Sequence, residues 1–315
     1  AVDVGSTTLS AQLCNLKTGE VIASAGTMNP QIRFGEDLMS RVSYLMMNPD
    51  DMTDMTREVR TAINYLAAQT TNEVGSDPSN IVDVALVGNP IMHHILLGID
   101  PTELGGAPFA LATDMALNIT AEELDLYFNP SATAYILPCI AGHVGADTAA
   151  VILAHNPLST REMTLIIDIG TNAEIVLGNC DRVLACSCPT GPAFEGAQIS
   201  CGQRAAPGAI ERVRVDRHTL EPSYQIIGCE LWSTEESFNE ETRHLGITGI
   251  CGSGIIEVIA ELYLAGVIST DGVIDGTLTE KNDKIFLDGR TYSYKLTDTI
   301  SITQNDIRAI QLAKA

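Results

Sequence analysis

The chain has 315 residues, and its 18 Lys and Arg stand against 40 Asp and Glu, which gives a formal net charge of −22 at pH 7. So large a negative charge repels phosphate-rich surfaces and excludes nucleic acids and anionic membranes as expected partners. Apolar residues make up 45% of the chain, which is enough to build hydrophobic cores. No apolar run reaches the ~18 residues that cross a bilayer, and no secretion signal is readable, so the expected location is cytoplasmic.

Strands and helices alternate in the first half of the chain. An apolar strand ends at Val4, and two further strands are predicted over Leu9–Leu16 and Val21–Ala25. Residues 100–132 carry Pro and Gly and are predicted to be irregular, with one small helix near 121–127. The other predicted elements are helices over Asp37–Met47, Met52–Gln69, Ile91–Leu97 and Gly145–Ala154, and strands over Ile81–Val87 and Tyr135–Pro138.

The second half follows a linker predicted at residues 155–159, and it again begins with three strands. A glycine-rich stretch at 249–254 opens a helix that runs to Ala265, and short strands joined by turns fill residues 269–300. The last helix, Thr303–Ala315, has no capping residue after it, and the chain does not begin with Met. We therefore expect a segment of a longer protein, in the α/β class with mixed sheets.

The eight cysteines form no metal-binding pattern. Only Cys186 and Cys188 stand close together, as Cys-x-Cys, and no Cys-x-x-Cys pair occurs. This spacing fits neither a zinc site nor an iron–sulfur cluster. Reduced and mostly buried thiols are expected, with a metal or redox role as the alternative.

One short motif occurs twice, half a chain apart. Residues 1–9 read AVDVGSTTL and residues 166–174 read IIDIGTNAE, and both continue into a second strand, a tight turn and a third strand. At an offset of 165 the matched pairs are Asp3 with Asp168, Gly5 with Gly170, and Ser6 with Thr171. Because Asp, Gly and a hydroxyl residue recur at the same spacing in both segments, the pattern indicates a duplicated loop whose two copies have the same function.

A loop of this composition suits a polyphosphate. Glycine lets the backbone approach closely, exposed N–H groups bind phosphate oxygens, and the hydroxyl adds a hydrogen bond. An Asp before the glycine repels phosphate unless a divalent cation with its waters lies between them. Two such loops facing each other would clamp a nucleotide–Mg²⁺ complex. The alternative is a pair of structural Asp-Gly turns.

With GADTAAVILA at 145–154 between them, DVGSTT and DIGTNAE resemble the phosphate-1, connect-1 and phosphate-2 elements of the actin, sugar-kinase and heat-shock-chaperone ATPase superfamily. The resemblance implies two ribonuclease-H-like domains with mixed sheets that flank a cleft for ATP and Mg²⁺. Residues 1–158 would form the first domain, with phosphate-1 and connect-1, and 159–315 the second, with phosphate-2, truncated at its C-terminus.

Further motifs narrow the resemblance to the reductive activators of corrinoid-dependent enzymes. They are NPQ at 29–31 with GED at 35–37 and SRV at 40–42, VGN at 87–89 with His93–Gly98, GPAFEGAQIS at 191–200, and GICGSGIIE at 249–257. This resemblance implies an ATPase that helps return Co(II) to Co(I) in a corrinoid protein, its partner. The electron donor would be a [2Fe–2S] domain N-terminal to this chain. The chain departs from the family pattern in lacking that cysteine cluster and the glycine-rich adenosine loop.

The resemblance also implies roles for single residues. Asp147 would orient the attacking water or act as its base, although an Asp there also suits a helix cap. Asp168 would share the catalytic work and, with Asp3, hold Mg²⁺ through waters. Glu174 would serve the metal or be an ordinary strand carboxylate, and Glu195 would reach the ribose. The expected phosphate-binding residues are Gly5, Ser6, Thr7, Gly170, Thr171 and Asn172.

Two other functions remain open at this point. One is an actin-like sugar or acid kinase, and the other is a nucleotide-gated binding module without catalysis. A P-loop mechanism is excluded because the chain has no G-x-x-x-x-G-K-[ST]. A homodimer is left open. Of the adjacent His93 and His94, at least one is predicted to be a core histidine with satisfied hydrogen bonds.

Overall fold

The computed structural model describes residues 1–35, 37–170, 172–190, 192–196, 198–280 and 282–314. The chain folds into two compact units. The first unit comprises residues 1–166 and 174–187, and the second comprises residues 167–173 and 188–315.

A six-stranded mixed sheet forms the centre of the first unit, in the order β3-β2-β1-β4-β6-β5. β1, β4 and β6 are parallel to one another, whereas β2, β3 and β5 run antiparallel to their neighbours. The strands are β1 (Val2–Val4), β2 (Thr8–Cys14), β3 (Val21–Met28), β4 (Asp83–Val87), β5 (Leu117–Thr120) and β6 (Thr133–Ile136). The helices are α1 (Leu38–Met47), α2 (Met52–Glu73), α3 (Pro90–Leu97) and α4 (Ala146–His155).

Local sequence explains where these helices begin and end. Asp37 caps α1 in a capping box with Ser40, in which each side chain accepts the backbone N–H of the other. Asn89 caps α3 ahead of Pro90, and Gly98 ends that helix in the left-handed region, with φ of 76°. The buried apolar stripe of α2 packs on β2 and β3 and closes the core of this unit.

The duplicated motif folds into a second set of three strands, as predicted. They form a sheet in the order β7-β8-β9 and correspond to β1, β2 and β3 of the first copy. The strands are β7 (Thr164–Ile169), β8 (Asn172–Gly178) and β9 (Val183–Pro189).

Two small sheets and three helices form most of the second unit, around a core of its own. The sheet orders are β11-β10-β12 and β13-β14-β15. The strands are β10 (Ala209–Val215), β11 (Pro222–Ile226), β12 (Gly249–Ile250), β13 (Ile285–Asp288), β14 (Thr291–Lys295) and β15 (Ser301–Thr303). The helices are α5 (Phe238–Glu241), α6 (Gly252–Leu264) and α7 (Gln304–Lys314).

The α/β class with mixed sheets is confirmed, and the predicted helices are present with small shifts at their ends. Two details in residues 100–132 differ from the prediction. The expected helix near 121–127 is a single 3₁₀ turn, Glu122–Leu124, and the stretch holds a strand, β5, on the sheet edge. The strand does alternate, with Leu117 and Ile119 half-buried and Asn118 and Thr120 exposed, but an alternation over four residues is a weak signal within a stretch rich in Pro and Gly. Among the described helices, none combines the length and the apolar character needed to cross a membrane.

Candidate nucleotide-binding site

The carboxyl ends of the parallel strands bring three loops of the first unit together. Because β1, β4 and β6 run in the same direction, the segments that follow them lie at one edge of the sheet, where α/β proteins place their ligand sites. The loop after β1 begins at Gly5, and the loop after β4 begins at Gly88. A Cβ added at Gly88 would lie 2.8 Å from the carbonyl oxygen of Val4, so these two loops are in close contact.

Asp147 lies at the same edge, in the first turn of α4. The N–H of Ala146 donates to the carbonyl oxygen of Gly88 over 2.9 Å. A Cβ at Gly145 would lie 2.6 Å from that same oxygen and 2.6 Å from Oδ1 of Asp147. The Asp147 carboxylate is half-buried and accepts the N–H of Thr148 at 2.7 Å. The short loop at residues 88–89 therefore contacts Val4, which precedes Gly5, and also the backbone at the start of α4, where Asp147 lies.

The loop at residues 5–7 is held by its carbonyl oxygens. Asn29 Nδ2 donates to the Gly5 carbonyl over 2.9 Å, and the Asn29 backbone N–H donates to the Thr7 carbonyl over 2.9 Å. The Ser6 carbonyl between them accepts a hydrogen bond from the guanidinium of Arg41. A Cβ at Gly5 would overlap the Thr8 carbonyl oxygen, so only glycine fits at this bend.

The Asn-Pro-Gln motif forms the support beneath this loop. Asn29 caps the 3₁₀ helix Pro30–Phe34, with its Oδ1 accepting the N–H of Gln31 at 2.9 Å. Gln31 is fully buried and donates to the Met55 carbonyl on α2 over 2.8 Å. The motif thus joins the first loop to the core through buried hydrogen bonds, which are costly to leave unmade.

Arg41 completes the support from α1, and its side chain is fully buried. Besides the Ser6 carbonyl, its guanidinium donates to the Gly35 carbonyl at 3.1 Å and to Gln31 Oε1 at 3.3 Å, and lies 3.2 Å from Met92 Sδ. Burial lowers the pKa of Arg41 to about 10, against a smaller opposing effect of Asp37. The group therefore keeps its positive charge at neutral pH.

The loop after β7 repeats part of this arrangement in the second unit. Its Gly170 N–H donates to the Asn172 carbonyl over 2.9 Å, and the Gly170 carbonyl accepts the hydroxyl of Thr190. Here a Cβ on the glycine would lie 3.5 Å from the nearest atom, an ordinary contact. Asp168, before this loop, is exposed, as is Asp3 before the first one. Thr171 lies outside the described residues.

The side chains that hydrogen-bond the carbonyl oxygens of Gly5 and Gly170 stand at equivalent positions in the two copies of the motif. Asn29 is the first residue after β3, and Thr190 is the first residue after β9. Each side chain donates a hydrogen bond to the carbonyl oxygen of the glycine that follows the first strand of its own copy. The duplication therefore extends beyond the strands to a hydrogen bond that supports each loop.

The structure gives less information on two further residues predicted for the site, Glu174 and Glu195. Glu174 lies on β8 and accepts the hydroxyl of Ser187 on β9 at 2.9 Å, a contact between neighbouring strands. Glu195 ends the 3₁₀ helix Pro192–Glu195, and its side chain lies outside the described part of the chain. Among the described residues, no three His, Cys, Asp or Glu side chains lie close enough together to hold a metal ion.

Sequence reasoning did not assign roles to Asn29, Arg41 and Thr190. The first two stood inside motifs that were used only for the family resemblance. Their contacts reach back 24 and 35 residues, and the contact of Thr190 reaches back 20, so no local periodicity reveals them. An arginine within a helix that is otherwise apolar on its buried side was the one available signal.

Two known family models match successive parts of the chain. Residues 1–157 match the model described as the RACo middle region. Residues 162–315 match the model described as the C-terminal domain of RACo, the ASKHA domain. Together the two matches cover nearly the whole chain.

Individual relatives are similar over the same range. The chain is 32% identical to "Corrinoid activation enzyme RamQ" of Eubacterium limosum, covering 100% of this chain and 52% of that protein. It is 26% identical to "[Co(II) methylated amine-specific corrinoid protein] reductase" of Methanosarcina barkeri, over 85% of this chain and 51% of that protein. A solved structure, "Reductive activator for corrinoid,iron-sulfur protein", matches with a TM-score of 0.81 and 35% identity over 98% of this chain and 48% of its own length.

The chain thus spans about half the length of the relatives it matches. Both halves of its sequence match successive regions of one protein, and a solved member has the same fold at more than a third identity. The chain belongs to the RACo family, with residues 1–157 corresponding to the middle region and residues 162–315 to the C-terminal ASKHA domain.

Proposed function

We propose that this chain is the ATP-binding and ATP-hydrolysing part of a reductive activator that helps return a Co(II) corrinoid protein to Co(I). The observation that carries the proposal is the loop at residues 5–7, whose three carbonyl oxygens are all bound from behind by Asn29 and Arg41. Such a loop can offer backbone N–H groups and two hydroxyls to phosphate oxygens. The names of the relatives supply the corrinoid protein as the partner.

The residues present fit a magnesium nucleotide. Position 5 has to be glycine for the loop to take this shape, because a Cβ there would overlap the Thr8 carbonyl oxygen. Bound Mg²⁺ would neutralise phosphate charge. In this proposal Asp3 and Asp168, both exposed, would hold the ion through its bound waters. Ser6, Thr7 and Asn172 would add hydrogen bonds to the phosphates.

Asp147 is the candidate for orienting the attacking water. Its carboxylate is half-buried at the edge of the sheet where the loop after β1 begins. One of its oxygens accepts the Thr148 N–H, which fixes the side chain. Water bound to that carboxylate would attack the terminal phosphate, giving ADP and inorganic phosphate.

The electron for cobalt has to come from elsewhere. Reduction of Co(II) to Co(I) takes one electron, and a reduced [2Fe–2S] centre would supply it. A [2Fe–2S] cluster needs four ligands of the cysteine type, and the described part of the chain holds no group of even three metal-ligating side chains. We propose that the cluster belongs to a part of the protein outside this chain, which spans about half the length of its relatives, and that the nucleotide chemistry belongs to this chain.

ATP turnover measured with and without a Co(II) corrinoid protein tests this function. We expect slow hydrolysis by the chain alone and faster hydrolysis with the partner, with loss of turnover in Asp168→Asn. Asp181→Asn is the matched control, because Asp181 is also exposed but lies in the turn between β8 and β9. Turnover that depends on a small hydroxylated substrate, with phosphate transferred to it, would instead identify a kinase.

A further inference from the structure

The hydrogen bonds to the carbonyl oxygens of the loop at residues 5–7 fix the direction of the N–H groups in that loop. In a trans peptide, the carbonyl of one residue and the N–H of the next point in opposite directions. The one cis bond among the described residues is Ala107–Pro108, so the peptides of this loop are trans. The Gly5 and Ser6 carbonyls point at Asn29 and Arg41, and the N–H groups of Ser6 and Thr7 consequently point away from them.

In the part of the chain that the structure describes, the groups at hydrogen-bond distance from the Arg41 guanidinium are neutral. Within the part of the chain that the structure describes, its hydrogen-bond partners are backbone carbonyls, the Gln31 amide oxygen and a thioether, and no carboxylate is among them. Burying a cation among neutral hydrogen-bond partners is costly, and the Asp37 charge offsets that cost only in part. The field of the Arg41 charge reaches the loop directly, because the guanidinium contacts the Ser6 carbonyl.

We propose that Arg41 is a positioning residue for nucleotide phosphate, acting through the peptide between Ser6 and Thr7. This inference rests on the proposed function. The guanidinium fixes the carbonyl end of the peptide, so the Thr7 N–H faces the phosphate. A positive charge at the carbonyl end also polarises the peptide and strengthens that N–H as a donor. Arg41 itself stays buried and does not touch the nucleotide.

Calorimetric titration of Mg·ADP into the 315-residue chain tests this role in three variants. Arg41→Met keeps much of the apolar volume and removes the charge, whereas Arg41→Lys keeps the charge. Arg33→Met is the control, since Arg33 also follows Asn29 in the chain but is exposed and paired with Glu58 at 2.8 Å. Melting of each variant without nucleotide shows whether it is folded.

We expect Arg41→Met to weaken Mg·ADP binding by about 10- to 100-fold, the usual effect of a lost charged hydrogen bond. Arg41→Lys should recover most of the affinity, and Arg33→Met should stay within about twofold of the wild type. Wild-type affinity in Arg41→Met would overturn the proposal. So would a loss in Arg41→Lys as deep as that in Arg41→Met, because a folded lysine variant retains the charge.

The amide resonance of Thr7 gives a second readout that needs no nucleotide. With ¹⁵N-labelled threonine, Arg41→Met should move the Thr7 signal upfield, while Arg33→Met leaves it in place. An unmoved Thr7 signal in Arg41→Met would contradict the proposed polarisation. If the wild type fails to bind Mg·ADP, the proposed function fails, and the Thr7 signal still decides whether Arg41 controls this peptide.

Discussion

Asn29 Nδ2 donates a hydrogen bond to the carbonyl oxygen of Gly5 over 2.9 Å and so joins the residue after β3 to the loop after β1. Thr190 makes the same connection to Gly170 in the second copy. A duplicated strand pattern can persist for reasons of folding alone. A duplicated support beneath two Asp-x-Gly loops indicates that the position of each loop matters, which fits a pair of phosphate-binding loops in an ASKHA protein.

Replacing Asn29 and Thr190 tests how much their hydrogen bonds to the two loop glycines stabilise the protein. Thr190→Val keeps the shape of the side chain and removes its hydroxyl, so the Gly170 carbonyl loses a partner. We expect a loss of about 1 kcal/mol in the free energy of unfolding. Asn29→Ala should cost more, about 2–3 kcal/mol, because it also removes the cap of a 3₁₀ helix. Urea unfolding measures both, and equal, negligible losses would contradict the assigned role.

The two loop glycines should respond differently to alanine. At Gly5 the new methyl group would overlap the Thr8 carbonyl oxygen, whereas at Gly170 it would lie 3.5 Å from the nearest atom. Gly5→Ala is therefore expected to destabilise the protein by more than about 2 kcal/mol, and Gly170→Ala by less than about 1 kcal/mol. Thermal unfolding of both variants checks this. Similar melting temperatures for the two would show that the first loop can move aside.

Asp147→Asn should separate turnover from binding. Asparagine keeps an oxygen that can accept the Thr148 N–H, so the helix start is preserved, but it cannot carry negative charge toward a water molecule. The rate of ATP hydrolysis is expected to fall by about 100-fold or more, in the range of a lost general base. Mg·ADP affinity, measured in parallel, should stay within about threefold. Undiminished hydrolysis would leave Asp147 with a structural role only.

The buried imidazole of His93 should make the stability of the protein depend on pH. Both ring nitrogens are buried, and no hydrogen-bond partner for them is present among the described residues. Burial, with a smaller effect of the His94 charge, lowers the pKa of His93 to about 4, against 6.5 for the free group. The folded state favours neutral imidazole, so the unfolded chain takes up the proton first as the pH falls. The stability that is complete above pH 6.5 is then lost progressively toward pH 4.

Between about pH 7.5 and about pH 5, this linkage amounts to about 2 kcal/mol of unfolding free energy. His93→Phe should remove that share of the pH dependence while keeping a planar ring in the same space. His94 is the comparison, because its Nδ1 lies 2.8 Å from the Pro90 carbonyl and its Nε2 accepts the Ala112 N–H at 3.0 Å. An identical pH dependence in the wild type and His93→Phe would refute the assignment.

The strands and helices with a clear hydrophobic period or a capping residue could be predicted from the sequence. So could the equivalence of Asp3 with Asp168, and of Gly5 with Gly170, in the two copies of the motif. The sequence also anticipated a satisfied core histidine, which His94 confirms. Contacts made across the fold could not be read in this way. Arg41 reaches Ser6 over 35 residues, and no pattern along the chain encodes a hydrogen bond from a side chain to a distant carbonyl.

Calorimetric titration of ADP into the wild type and Asp168→Asn tests most directly whether the aspartate before a loop glycine serves a magnesium nucleotide. With Mg²⁺, we expect the variant to bind at least about tenfold more weakly, because a ligand to the waters of the ion is lost. Without Mg²⁺ the order should reverse or vanish, because the native carboxylate then repels the phosphates. Equal affinities of the two proteins under both conditions would contradict the account.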